Sequence, residues 1–119
     1  MKIKSKAAEQ KYFRYLQLVR TLREKNKLPT LDPIEESVIN ALGITWQSGE
    51  EITVVQLLKR KELASPTSIH RRIKTLTKKK LLQLRLDEDD HRFKYVCPGE
   101  MAAKYFSSLT DCIVKAVRV

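Results

Sequence analysis

Apolar residues recur at helical spacing in the first and last segments of the chain, which predicts a long helix at each end. Residues 5–25 and residues 100–117 each carry apolar positions three and four apart, which line up as one stripe along a helix. Pro29 is expected to end the first of these helices. The stripe residues are Ala8, Tyr12, Tyr15, Leu16, Val19 and Leu22 near the start of the chain, and Ala102, Tyr105, Phe106, Leu109, Ile113 and Ala116 near its end.

A second helix is expected to begin at Asp32. This residue can cap the helix, Pro33 suits the first helical position, and Glu35 can return a hydrogen bond to the cap. Gly43 stands where a left-handed cap is expected to end the helix. A connection then leads to a short strand pair expected at Ile52. The apolar face of the helix consists of Ile34, Val38, Ile39 and Leu42.

Two short helices follow in close succession. Thr53 is expected to cap the first, with Gln56 as its capping partner, and this helix is expected to end near residues 62–64. Ser65, followed by a proline, is expected to cap the second helix at once. Two short helices separated by about three residues are typical of a helix-turn-helix.

After Lys80 the pattern changes from helical to alternating, which predicts a β-hairpin. Its strands are separated by the charged residues 87–92 and end at Pro98-Gly99. The expected fold class is therefore mainly α with a small β-hairpin: a winged helix-turn-helix flanked by N- and C-terminal dimerisation helices. We expect one domain over residues 1–119, with the N-terminal helix at 5–26, the winged-helix body at 32–97 and the C-terminal helix at 99–118. The alternating residues are Leu82, Leu84 and Leu86 in one strand and Phe93, Tyr95 and Cys97 in the other.

Charge is distributed in blocks along the chain, whose formal net charge is +10. Residues 1–27 balance at +7, residues 28–58 at −5 and residues 59–80 at +8, while the remainder is neutral. A basic block beside an acidic one within a folded domain indicates a patch that meets a polyanion. The alternative is a solvated, lysine-rich surface that only aids solubility.

The fourth helix has the composition of a DNA-reading element. At about 100° per residue, Ile69, Ile73 and Leu76 fall on one side and a basic, hydroxyl-bearing face falls on the other. Arginine can donate twice to guanine, threonine can contact a thymine methyl, lysine can neutralise phosphate, and a helix N-terminus can hold a phosphate. His70 and Arg72 lie at the edges of this face, and Lys78–Lys80 are expected to add nonspecific charge. The residues expected to bind DNA on this helix are Ser65, Thr67, Ser68, His70, Arg71, Lys74, Thr75 and Lys78.

The hairpin tip combines four acids with Arg92, which is the last candidate DNA-binding residue. Acids standing against DNA would repel phosphate. We therefore expect one or two of them to hold Arg92 in place while its guanidinium enters a minor groove, a contact that proteins are known to make. The alternative is a solvated, mobile tip.

The run from Leu63 to Leu76 and the following Lys78–Leu82 resemble the recognition-helix region of MarR-type winged-helix regulators, and Asp87, Asp90 and Arg92 resemble that family's D-x-x-D-x-R wing motif. The resemblance implies a homodimer built from the terminal helices, binding double-stranded DNA at a palindromic operator, with repression as the expected mode. It also implies that a small-molecule effector is possible, although no residue pattern supports one. Lys80 departs from the family, which usually has glycine there.

No catalytic, cofactor or metal site emerges from the sequence, so we expect no enzyme and no cofactor. His70 and His91 lack local ligand partners, and Cys97 and Cys112 lack the spacing of a zinc site or a disulfide framework. Without an apolar run long enough for a membrane span or a secretory signal, a cytoplasmic protein is expected. Three alternatives stay open: a plasmid or phage replication or partition factor, a winged helix used as a protein-interaction module, and redox control through cysteine.

Overall fold

The computed structural model describes the backbone of residues 6–118 and the side chains of residues 9–118. The chain divides into two compact units. The helix start expected at Ser5 and the side chain of Ala8 lie outside the described residues. One unit, residues 31–103, holds the winged helix; the other comprises, of the described residues, 6–30 and 104–118. In chain order the elements are α1 (Lys6–Glu24), α2 (Pro33–Gln47), α3 (Val54–Leu58), α4 (Pro66–Lys78), β1 (Leu82–Leu86), β2 (Lys94–Pro98) and α5 (Ala102–Val117).

Helix α2 begins where the sequence predicts and ends one turn later. Asp32 accepts a hydrogen bond from the Glu35 amide at 2.7 Å, and the Glu35 carboxylate accepts one from the Asp32 amide at 2.9 Å. The predicted end at Gly43 is wrong, because Gly43 stays helical and the helix continues to Gln47. The left-handed residue is instead Gly49, with φ of +82°. Glycine permits a left-handed cap without requiring one.

Helix α3 is shorter than predicted, and the connection to α4 is longer. The capping box of Thr53 and Gln56 is confirmed. The helix ends at Leu58, however, and residues 59–65 separate it from α4. The connecting chain continues as tight turns, in which the Arg60 amide donates to the Leu57 carbonyl oxygen at 3.0 Å. Turns of this kind keep a helical sequence pattern without extending the α-helix.

The predicted hairpin is confirmed, with β1 and β2 antiparallel and Leu84 opposite Val96. Burial is uneven along this wing: Leu82 and Val96 belong to the core, whereas Leu84 and Leu86 are exposed. In β2 the apolar positions were expected at Phe93, Tyr95 and Cys97, whereas the buried residue is Val96 between the last two, so this part of the prediction is wrong. The pair expected at Ile52 forms one residue later, between Thr53 and Tyr95, and the Val96 amide donates to the Ile52 carbonyl oxygen beside it at 2.8 Å.

The core of the winged-helix unit joins its helices to the base of the wing. The inward face predicted for α4 is confirmed, because Ile69, Ile73 and Leu76 are all buried. At the turn from α4 into β1, Lys80 has φ of +62°, the left-handed conformation that favours glycine. The largest fully buried side chains are Val38, Ile39, Leu42, Leu57, Ile69, Leu76, Leu81, Leu82 and Val96.

The second unit contains α1 and nearly all of α5. The Arg14 guanidinium links these helices, because its Nη atoms donate to the carbonyl oxygens of Lys115 at 3.2 Å and Arg118 at 3.0 Å. The predicted stripe of α5 is confirmed at Ala102, Tyr105 and Ala116, which are buried, but it is wrong at Ile113, which is 52% exposed while Cys112 beside it is buried. No helix within the described part of the chain is long and apolar enough to cross a membrane.

Candidate nucleic-acid interface

Helix α4 presents three stripes of side chains with different environments. The inner stripe is the buried apolar one described above. The outer stripe is exposed along its whole length, and it consists of Thr67, Arg71, Lys74 and Lys78. A lateral stripe, consisting of Arg72, Thr75 and Lys79, lies between the two and is half-buried. The sequence distinguishes the first two stripes but not the third.

The outer stripe carries unneutralised positive charge. Among the described residues, no carboxylate lies within ion-pair distance of Arg71, Lys74 or Lys78. His70 is also exposed and Ser68 is half-buried. Side chains that are both free and exposed on one helix face can reach base edges and phosphates together.

The N-terminus of α4 lies beside this face. The Ser65 hydroxyl oxygen accepts a hydrogen bond from the Ser68 amide at 3.2 Å, and Pro66 occupies the first turn. The Ser65 side chain is thus used as a cap, while the residue itself remains exposed. Because Pro66 has no amide hydrogen and the Ser68 amide is bonded to Ser65, the groups that this helix start offers a phosphate oxygen include the exposed hydroxyls of Ser65 and Thr67.

The lateral stripe is held against the start of α2 by two carboxylates. Arg72 Nε lies 3.2 Å from Asp32 Oδ2. The Thr75 hydroxyl donates to Glu35 Oε2 at 2.7 Å, and Lys79 Nζ lies 2.9 Å from both Glu35 carboxylate oxygens. The Thr75 hydroxyl, expected to flank the DNA-reading face, is therefore engaged with Glu35.

Glu35 is the buried charged residue at the centre of this network, with 3% of its surface exposed. Burial raises the pKa of its carboxyl, but hydrogen bonds from Lys79, the Asp32 amide and Thr75 outweigh burial and hold the pKa below its ordinary value. The pKa of Asp32 is also lowered, first by the hydrogen bond from the Glu35 amide. Both carboxylates are therefore ionised at neutral pH.

Three consecutive lysines at the end of α4, Lys78–Lys80, were expected to add nonspecific charge. Two of them are instead paired with carboxylates. Lys79 pairs with Glu35, and Lys80 Nζ lies 3.0 Å from the Glu100 carboxylate. Only Lys78 among the three lacks a carboxylate partner within the described chain. No local sequence signal could have revealed the first pair, because Glu35 lies 44 residues from Lys79.

The wing tip is built around two aspartates. Asp87 accepts hydrogen bonds from the amides of Asp89 at 2.8 Å and Asp90 at 3.0 Å, and from the Tyr95 hydroxyl at 3.0 Å. Asp90 binds the Arg92 guanidinium with both carboxylate oxygens: Arg92 Nε donates to Oδ1 at 2.9 Å and Nη2 donates to Oδ2 at 2.7 Å. The expectation that an acid of the tip holds Arg92 is confirmed. The Arg92 side chain is 85% exposed, so the guanidinium projects from the wing while its orientation is set.

Metal binding and thiol reactivity are the remaining kinds of chemistry to consider in the described residues. No group of three or more histidine, cysteine, aspartate and glutamate residues within them could hold a metal ion. Cys97 and Cys112 are both free. Burial raises the pKa of the Cys112 thiol, which disfavours the reactive thiolate.

Comparison with the sequence profiles of known families gives no match, and comparison with curated proteins gives none either. Solved structures do match. A mutant of S. aureus MepR bound to an oligodeoxyribonucleotide covers 87% of this chain and 70% of its own, with a TM-score of 0.64 and 15% identity. AbsC, a MarR family transcriptional regulator from Streptomyces coelicolor, covers 93% of this chain and 70% of its own, with a TM-score of 0.54 and 16% identity.

A probable transcriptional regulator from Pseudomonas aeruginosa also matches. It covers 92% of this chain and 79% of its own, with a TM-score of 0.55 and 21% identity. The resemblance carried by the recognition-helix and wing motifs is thereby confirmed at the level of the fold. The chain has the winged-helix fold of the MarR-type transcriptional regulators.

Proposed function

We propose that this chain is a sequence-specific regulator of transcription that binds double-stranded DNA as a homodimer, recognises a palindromic operator and acts by repression. The observation that carries the proposal is the outer stripe of α4, whose three cations are exposed and lack carboxylate partners among the described residues. The MepR mutant, which shares the fold, was solved bound to an oligodeoxyribonucleotide.

On this proposal α4 lies in the major groove. Arg71, near the middle of the outer stripe, donates to a guanine, and Thr67 contacts a base near the helix start. Lys74 and Lys78 contact phosphates farther along, while the Ser65–Ser68 turn and His70 face the flanking backbone. Thr75 positions the helix through Glu35, since its hydroxyl is already engaged there.

The wing supplies the second DNA contact. Arg92 enters the minor groove beside the major-groove site, with its orientation set by Asp90. A narrow minor groove concentrates negative potential, which attracts an arginine side chain. Because Asp87 and Asp90 are turned toward the loop's own amides and Arg92, their charge is partly satisfied within the wing.

The homodimer is supported by apolar side chains left exposed on the two-helix unit. Tyr12 and Phe13 on α1 are 59% and 51% exposed, and Ile113 and Val117 on α5 are 52% and 50% exposed. Neighbouring side chains of both helices line an apolar cleft of about 400 Å³. Burying such surface against a second copy gains about 25 cal/mol per Å² removed from water.

The first test is selection of bound sequences from a random duplex pool at about 0.15 M salt, where screening already weakens nonspecific attraction. An enriched inverted repeat with half-sites about one helical turn apart is expected. Arg71→Ala should then weaken binding to the enriched site by about 1–3 kcal/mol and relax its preference at one position. Lys78→Ala should weaken cognate and random DNA alike. Equal effects of both substitutions on both DNAs would refute base reading by Arg71.

The dimer is tested separately by the molar mass in solution. The wild-type protein should show twice the chain mass of 13.8 kDa, and Ile113→Asp should convert it to the chain mass. The matched control is Ile44→Asp, because Ile44 is 74% exposed but lies on α2 in the winged-helix unit. A wild-type mass of one chain, or dissociation by the Ile44 variant alone, would contradict this dimer surface.

A further inference from the structure

The basic residues of the α4 region fall into two classes. Arg71, Lys74 and Lys78 have no carboxylate within ion-pair distance in the described chain, whereas Arg72, Lys79 and Lys80 each have one. Two of these pairs join α4 to the first turn of α2, through Asp32 and Glu35 respectively. Sequence composition counts these six cations as equal. In the structure, however, three of them are already paired with carboxylates and three are not.

We infer that Asp32 and Glu35 are positioning residues that hold Arg72 and Lys79 against α2 and thereby withhold two cations from the DNA phosphates. The inference rests on the proposed DNA-binding function and deepens it. It assigns the phosphate-contacting charge of α4 to the unpaired cations alone.

The withheld cations lie where free ones would contact DNA. Arg72, Thr75 and Lys79 are three and four residues apart and so share one face of the helix. Each lies one residue, or about 100°, round from Arg71, Lys74 and Lys78 on the outer stripe. A helix in a major groove about 12 Å wide has a phosphate backbone on either side. Long basic side chains on the lateral face therefore point toward phosphates rather than base edges.

The interaction of Lys79 with Glu35 is stronger than that of Arg72 with Asp32. Glu35 is buried and accepts hydrogen bonds from Lys79, Thr75 and the Asp32 amide, at 2.7–2.9 Å. Moving Lys79 to a phosphate would leave a buried carboxylate without its cation, which is strongly unfavourable. The Asp32 side chain is 43% exposed, so its hold on Arg72 is looser. The carboxylates themselves are fixed by the capping box at the start of α2.

The consequence is a weaker salt-dependent attraction than the lysine and arginine content implies. Each phosphate contact adds about 0.9 to the slope of log K against log salt and strengthens binding to any sequence. With two contacts withheld, base contacts contribute a larger share of the binding free energy at an operator.

The test measures binding to a random-sequence duplex over a range of salt concentrations for Glu35→Gln. Glutamine keeps the size of the side chain but removes the charge that holds Lys79. We expect the slope of log K against log salt to steepen by about 0.9 for each α4 that contacts the DNA. The gain in affinity over the wild-type protein should then be about eightfold larger at 0.1 M salt than at 1 M salt for each such helix. The matched control is Glu36→Gln, which removes an equal charge from an exposed residue of the same helical turn. Equal slopes for the two variants would overturn the inference.

A second pair of variants leaves Glu35 in place. These variants test whether Lys79 is withheld from DNA even if Glu35→Gln does not fold. Lys78→Gln should lower the salt slope of the wild-type protein by about 0.9 per α4, whereas Lys79→Gln should leave it unchanged. Equal reductions by both would overturn the inference while leaving DNA binding intact. A wild-type protein that binds no duplex at any salt concentration would overturn the proposed function and this inference together.

Discussion

The close packing at Gly99 predicts a large effect from adding one methyl group. A Cβ at this position would lie 2.3 Å from the Lys80 carbonyl oxygen and 2.9 Å from the Leu82 amide nitrogen. An ordinary contact needs about 3.5 Å, so the end of the wing must move by about 1 Å. That movement breaks the hydrogen bonds from the Gly99 amide to Leu81 at 3.1 Å and from the Met101 amide to Lys80 at 2.9 Å. With about 1 kcal/mol for each bond and a similar cost of overpacking, Gly99→Ala should destabilise the winged-helix unit by about 3 kcal/mol.

Urea unfolding followed by the fluorescence of Trp46 measures this loss. Trp46 is the single tryptophan, and its Nε1 donates to the Val96 carbonyl oxygen of β2 at 3.0 Å. At a slope of about 1.5 kcal/mol per molar urea, the midpoint should fall by about 2 M. Gly49→Ala is the matched control: Gly49 has φ of +82°, but nothing lies within 4 Å of the place that an added methyl group would take, so it should lose only about 1 kcal/mol. If Gly99→Ala lost no more than Gly49→Ala, the steric reasoning would be refuted.

Three further predictions concern single side chains. Lys80→Gly should raise the free energy of unfolding by about 0.5–1 kcal/mol in thermal melts, because relief of the left-handed lysine outweighs loss of its exposed pair with Glu100; a lower melting temperature would contradict this. The pKa of Glu35 is lowered in the folded protein, so its stabilising effect is present above the ordinary pKa of 4.5 and is lost at lower pH. The stability advantage of wild type over Glu35→Gln in urea titrations should therefore shrink on acidification below pH 4.5, and a constant advantage would exclude this linkage. Asp90→Asn should reduce the preference for A·T-rich flanking DNA in competition binding, because Arg92 loses its orienting carboxylate; an unchanged preference would argue against the minor-groove contact.

Local signals predicted the starts of the helices well. The capping residues Asp32, Thr53 and Ser65 each accept the hydrogen bond expected of them, because capping depends on residues only three positions apart. Helix ends were predicted less well. Gly43 is compatible with both a cap and a helix interior, and the choice depends on how the last turn of α2 packs, including the Trp46 hydrogen bond to Val96.

The wing shows a second limit of sequence patterns. Alternation correctly predicts strands, because it reflects the two faces of a hairpin. It does not show which of the alternating positions pack on the core: Leu84 and Leu86 are exposed although Leu82 is buried, and Val96 is buried although it lies opposite Leu84. In β2 the buried residue is Val96, whose amide also pairs with Ile52. That contact joins residues 44 positions apart, a separation at which periodicity carries no information.

The candidate interface could be predicted in the same partial way. The outer stripe follows from helix geometry alone, and Asp90 lies close enough in sequence for its pairing with Arg92 to be anticipated. The lateral stripe depends on Asp32 and Glu35, which precede their partners by 40 residues or more. A count of charges therefore overestimates the cations that α4 offers to DNA.

Asp32 and Glu35 meet two structural demands with the same carboxylates. Each accepts a backbone amide at the start of α2, as any capping box requires, and each also holds a side chain of the α4 region. The capping demand alone is satisfied by many polar residues, including serine at the cap and glutamine three positions on. Only carboxylates at both positions also neutralise Arg72 and Lys79. The two acids, at positions where neutral residues would also cap, therefore connect the start of one helix to the electrostatics of the surface that we propose binds DNA.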